Sequence, residues 1–162
     1  MHRLTLISAL CALLIDQISK WIVVFGIDLR NQFELDVFPP YLNFRMAWNY
    51  GVNFGLFADD GVMQRWFLIV FALVVSAVIA IWLRRTPLGR LGYISAGLLI
   101  GGALSNALDR ALYGAVADFL NMSCCGLDNP FAFNLADVSI FAGAIGLVFF
   151  SDPPNQATQN NE

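Results

Sequence analysis

The acids of this chain that could do chemistry crowd into one stretch, Gly101 to Asp137. It reads GGALSNALDR, then ALYGAVADFL, then a short cysteine-bearing loop, then NPFAFNLAD. Asp109, Asp118 and Asp137, with Asn106, Asn134 and Arg110, fall at the edges of two apolar segments. Charge beside hydrocarbon is costly, so such a cluster calls for a structural or functional reason. Two close carboxylates do not readily both ionise and can share one proton. One then takes a proton from water while the other donates to a carbonyl or a leaving amine, the chemistry of an aspartic hydrolase. The proton belongs to the pair, and sequence assigns it to neither member. The competing explanation is that these acids merely pair with Arg110 and cap helices.

Rival protease chemistries are disfavoured. The only histidine is His2, so neither an H-E-x-x-H zinc site nor a Ser–His or Cys–His arrangement is plausible. Lys20 is the only lysine, which argues against a Ser–Lys dyad elsewhere. Of the three cysteines, Cys11 lies in an apolar run, where it reads as a lipid-compatible helix residue. Adjacent Cys124 and Cys125 are poorly placed to bridge each other, and their role stays open. No metal or organic cofactor is implied.

The elements that must position these groups are membrane helices. Of 162 residues, 58% are hydrophobic and 13% charged, with mean hydropathy +0.65. A soluble domain carries about 25% charged residues, so this chain lacks the polar surface to remain in water. A net charge of −3 with no basic stripe argues against nucleic acid. Four spans are expected, at about 4–26, 66–83, 93–112 and 131–150, forming one domain over 1–150. The tail 151–162 is polar and reads as disordered. The first span is not a cleaved signal, because Asp16 and Lys20 interrupt it and no A-x-A-like site follows. Four residues apart on one helix face, Asp16 and Lys20 read as a structural ion pair.

Residues 27–65 form a polar interlude, expected to be an extramembrane β platform. Leu42, Phe44, Met46 and Trp48 alternate with period two, as in a strand with one apolar face. Asp59, Asp60 and Gly61 could start a short interfacial helix, DGVMQRWF. In the third span Gly97, Gly101 and Ser105 recur at four-residue spacing, which lets helices approach closely. Arg84, Arg85 and Arg90 lie between spans two and three, and Arg3 precedes span one. By the positive-inside rule both termini are cytoplasmic, and the platform and the Asp118 loop, 113–130, share the outer side.

Asn106, Asp109 and Arg110 share one helix face, and Asn134 and Asp137 repeat the i, i+3 spacing. Asp109, Asp118 and Asp137 could therefore converge, and spacing alone does not choose among them. DQISK (Asp16 to Lys20), NYGVNFG (Asn49 to Gly55), GGALSNALDR (Gly101 to Arg110), VADF (Val116 to Phe119) and FNLAD (Phe133 to Asp137) occur in that order. In this order and spacing the chain resembles signal peptidase II, the prolipoprotein signal peptidase of bacteria, over nearly its whole length. The resemblance implies a four-helix aspartic protease of the inner membrane, working among membrane lipids near the outer face; a monomer is expected. It would remove signal peptides from diacylglyceryl-modified prolipoproteins by cutting N-terminal to the lipidated cysteine. The catalytic pair then falls on Asp118 and Asp137. Asn49, Gly51, Asn106, Asp109, Arg110 and Asn134 match positions that shape the site or contact substrate. The chain departs from the family at Asn53, where alanine is frequent, and at Ser105, where glycine is. A rival reading is a proton-coupled carrier using Asp16, Asp109 and Asp137 as a relay. A non-catalytic scaffold is the third.

Overall fold

The computed structural model describes residues 2–51, 61–126 and 128–151. Asn53, the Asp59–Asp60 pair and residues 152–162 of the tail lie outside the described residues.

In hydrocarbon each backbone amide must be satisfied within its own segment, so long apolar runs become helices. The first is α1, Arg3–Lys20, which continues as a π-helical stretch over Trp21–Gly26. Helix α3 spans Gly61–Arg85 and α4 spans Arg90–Tyr113. These three are long and apolar enough to cross a membrane. Helix α5, Leu135–Phe150, is apolar but shorter, at 16 residues. The molecule is thus a helical membrane protein. The stretch from Gly61 onward opens α3 instead of forming a separate helix. Its apolar run has no breaker before Arg85, so the helix starts earlier than the hydropathic span. The short surface helix is α2, Leu29–Gln32.

Helix α4 is the centre of the bundle and packs against α1, α3 and α5. Its small residues make this possible. A Cβ on Gly97 would meet the Thr5 carbonyl oxygen and Ser8, and one on Gly101 would meet the Ala9 carbonyl and Ala12. Ser105 lies farther along the same face and contacts Asp16. The expected small-residue stripe is therefore the α1 interface. On another side of α4, Gly102 lies against the Ala136 carbonyl and Ile140 of α5. Gly143 returns the contact by lying against Ser95 and Leu99.

At one end of the bundle sits a three-stranded antiparallel sheet in the order β1 (Glu34–Phe38), β2 (Leu42–Asn49), β3 (Val116–Asn121). Phe44, Met46 and Trp48 pack with Ala117 and Phe119 against Val23, Val24 and Leu29, as the period-two pattern of β2 requires. The third strand was not legible as one. The run from Val116 to Asn121 holds two polar residues in six and follows the helix-ending Gly114, whose φ is 84°. It is a strand because β2 pairs with it, with Ala47 opposite Asp118 and Asn49 opposite Val116.

Candidate active site

Strand alternation sends Ala117 and Phe119 into the apolar cluster and Asp118 to the other face. Residues opposite or two apart across antiparallel strands share a face, so Asp118 lies with Ala47 and Asn49. Asn49 Nδ2 donates to Asp118 Oδ2 at 3.1 Å, while Asn49 Oδ1 accepts from the Gly51 amide at 3.0 Å. Gly51 has φ 118°, and a Cβ there would meet the Leu68 and Gln64 side chains at 2.6 and 2.7 Å. Glycine answers both constraints.

Asp137 comes from the first turn of α5, whose N-cap is Asn134. The Asp137 amide donates to Asn134 Oδ1 at 2.9 Å, and the Asn134 amide donates to Asp137 Oδ2 at 3.3 Å. This reciprocal cap explains the Asn134/Asp137 spacing. The Asn134 side chain goes further, donating through Nδ2 to Asp118 Oδ1 at 2.6 Å. One asparagine therefore touches both carboxylates. The remaining oxygen of Asp137, Oδ1, accepts from Asn106 Nδ2 at 2.9 Å.

The two acids differ in environment. Asp118 is buried and Asp137 half-buried. Burial, and after it the neighbouring Asp137 charge, pushes the Asp118 carboxyl up to about 6. Hydrogen bonds from Asn49 and Asn134 and the charge of Lys20 pull the other way. A carboxyl so placed exchanges a proton near neutral pH, as acid–base catalysis requires.

Asp109 turns away from this pair. Its Oδ2 takes an ion pair from Lys20 at 2.7 Å, and Lys20 also holds Asp16 Oδ2 at 2.6 Å. Asp109 thus pairs with α1 and not with the adjacent Arg110, because consecutive helical residues point about 100° apart. The expected Asp16–Lys20 pair is present and is part of a larger buried network. Gln17, unremarked in the sequence, donates to Asp109 Oδ1 at 2.7 Å and to Ser105 Oγ at 3.0 Å. Its signal was a polar amide in an apolar helix, beside Asp16. Ser105 supplies a hydroxyl to Asp16 at 2.7 Å, which glycine would lack. Arg110 lies in the field of Asp118, Asp137 and Asp109. It donates to the Asn106 carbonyl at 3.4 Å, and its buried Nε has no hydrogen-bond partner among the described residues.

Among the described residues, no group of three or more His, Cys, Asp or Glu is placed to hold a metal ion. Cys11, Cys124 and Cys125 are free and exposed.

Fold and site together define a helical membrane protein with two aspartates joined by one asparagine where the bundle meets its sheet. The comparisons with known proteins are specific. A family model described as signal peptidase (SPase) II matches residues 8–151. The lipoprotein signal peptidase of Methylorubrum extorquens (strain PA1) is 40% identical over 154 residues, covering 94% of this chain and 87% of its own. That of Neisseria meningitidis serogroup C (strain 053442) is 37% identical over 139 residues, covering 86% of this chain and 83% of its own. A solved bacterial membrane enzyme has the same fold, with TM-score 0.74 at 23% identity, covering 98% of this chain and 94% of its own. A second gives TM-score 0.72 at 24% identity, covering 90% and 85%. The chain belongs to the signal peptidase II family and is a membrane protease.

Proposed function

We propose that this chain removes signal peptides from diacylglyceryl-modified prolipoproteins, cutting N-terminal to the lipidated cysteine, with Asp118 and Asp137 as the catalytic pair. The observation that carries the assignment is Asn134, which donates to Asp118 through its side chain and to Asp137 through its main-chain amide while Asp109 is engaged by Lys20. Water oxygen bonds to the scissile carbonyl carbon as one carboxylate takes its proton. The other, protonated, gives its proton to the carbonyl oxygen. Collapse of the tetrahedral intermediate breaks the C–N bond, and the leaving amine takes a proton from the pair. The environment of Asp118, with its carboxyl at about 6, favours it as the proton holder. Asn49, which donates to Asp118, and Gly51, whose amide donates to Asn49, border the same face as substrate contacts.

The chain acts as a monomer in the bacterial inner membrane, its domain spanning 1–150 with a tail beyond. Arg84, Arg85, Arg90 and Arg3 lie on the cytoplasmic side, which puts both termini there and the sheet and aspartates at the outer face. Exposed Trp21, Trp66 and Tyr113 suit the interfacial belt beside the sheet. The acyl chains of the substrate stay in hydrocarbon while its peptide bond reaches the pair. The carrier reading is weaker, since Asp16 and Asp109 are both held by Lys20 and the family is one of peptidases.

The test is release of the signal peptide from a diacylglyceryl-modified precursor by purified protein. Asp118→Asn and Asp137→Asn should each abolish it while the helical content persists. Near-normal cleavage by either variant refutes the pair, and inhibition by a chelator points to a metal instead.

A further inference from the structure

Lys20 carries the only ammonium side chain, nearly out of reach of solvent at 4% exposure. Two carboxylates, Asp16 and Asp109, face it, so the cluster holds one negative charge in excess. Neutral donors meet that excess. Asp16 accepts from Ser105 Oγ at 2.7 Å and from the Ala136 amide at 2.9 Å. Asp109 accepts from Gln17 Nε2 at 2.7 Å and from the Ala117 amide at 3.2 Å.

The two backbone donors are the informative ones. Ala136 immediately precedes Asp137, and Ala117 immediately precedes Asp118. Each supporting acid therefore grips the main chain one residue before one member of the pair. A third arm runs through Asn106. Lys20 Nζ donates to Asn106 Oδ1 at 3.3 Å, which leaves Asn106 Nδ2 to donate to Asp137 Oδ1 at 2.9 Å. With its oxygen held by an ammonium, that amide presents its NH₂ to Asp137 and not its carbonyl. A simple interhelical ion pair needs two elements, whereas this one joins α1, α4, β3 and the start of α5.

We propose that Lys20 is a positioning residue for hydrolysis. Acting through Asp16, Asp109 and Asn106, it sets the backbone ahead of Asp118 and Asp137 and the amide that donates to Asp137. The proposal rests on reading Asp118 and Asp137 as the working pair. Misplacing reacting groups by about 1 Å can cost about 100-fold in rate, so fixing both backbones from one atom matters to turnover.

Among the described residues, the charged groups facing the pair are Lys20 from α1 and Arg110 from α4, with Asp16 and Asp109 bound to Lys20 behind them. Strand β2 contributes neutral Asn49, and Arg65 of α3 donates to the Ala111 carbonyl. Removing the Lys20 charge raises the proton affinity of the pair, and removing the Asp109 charge lowers it. A loosened scaffold has no reason to move the two variants in opposite directions.

The experiment follows cleavage of a diacylglyceryl-modified precursor by the full chain in detergent across pH. Lys20→Met should lower kcat by about tenfold to 100-fold with KM little changed. Its alkaline limb should move up by about half a pH unit, and that of Asp109→Asn down by a similar amount. A folded Lys20→Met with wild-type kcat, or with reduced kcat and an unmoved limb, overturns the proposal. So does failure of both variants to purify as folded protein, which would make the network structural alone. Asp118→Asn is run alongside; turnover there refutes the catalytic pair itself, a result separate from any behaviour of Lys20.

Discussion

Asn134 donates its side-chain amide to Asp118 at 2.6 Å from the residue that opens α5 and caps it against Asp137. A capping residue normally serves its own helix. Here the same side chain reaches a strand that begins 18 residues earlier in the chain, while the Asn134 main-chain amide donates to the Asp137 carboxylate, so one residue links the two acids. Asn134→Ala should lose both roles. Losing the cap costs about 1 kcal/mol, which lowers the melting temperature by about 2–4 °C for a chain of this size. Losing the donor to Asp118 should also shift the alkaline limb of cleavage upward, since that bond favours the ionised form. Differential scanning fluorimetry in detergent and a pH–rate profile measure the two effects separately.

Asn49→Leu is the complementary case. It removes a donor to the other oxygen of Asp118 without touching a helix cap. Its pH profile should shift upward like that of Asn134→Ala while its melting temperature stays close to wild type. An unmoved limb would mean that this hydrogen bond does not influence the pair.

The pH dependence of the wild type follows from Asp118. With its carboxyl at about 6, kcat/KM should fall on the alkaline side with an apparent midpoint near that value. The midpoint is a property of the pair. Stability should show the same titration. The folded value lies above the ordinary 3.8 of an unfolded aspartate, so the stabilisation is full below 3.8 and lost as pH rises through about 6. Asp118→Asn has no such group, so it should melt higher than wild type at pH 7. That advantage should shrink toward pH 4. Melting curves of the two proteins across this range test the sign directly.

Two neighbouring glycines of α4 should fail differently. Gly101→Leu drives a side chain into Ala9 and Ala12 of α1, and overpacking of this kind costs about 1–3 kcal/mol. Gly102→Ala puts a methyl 2.5 Å from the Ala136 carbonyl, next to Asp137, so the start of α5 must shift. The first should lower the melting temperature more than it lowers kcat in the protein that remains folded. The second should lower kcat by about tenfold or more. Equal effects of both on kcat would argue against the α4–α5 contact as what sets the position of Asp137.

Much of this was legible in the chain. Hydropathy marked the membrane class, the Leu42–Trp48 alternation marked β2, and the Gly97, Gly101, Ser105 stripe marked a close helix contact. These are local periodicities, and a period of two or of four residues is visible wherever it occurs. The i, i+3 spacing of Asn134 and Asp137 likewise carried the cap that the structure contains.

What the residues could not supply by themselves was the partner of each acid. Asp109, Asp118 and Asp137 have the same side chain and similar settings in sequence. Spacing alone does not say which groups each of Asp109 and Asp118 will meet. Tertiary structure separates them, because Asp109 faces α1 and is taken by Lys20, 89 residues away in sequence. Asp118 sits on a strand that exists through pairing with β2, about 70 residues earlier, and so faces Asn49 and Asn134. The sequence by itself determined a membrane-embedded chain bearing a cluster of carboxylates near one end of its helices. That Asp109 joins Asp16 on Lys20, and that Asp118 joins Asp137 on Asn134, was decided only by long-range packing, since those contacts have no local signature.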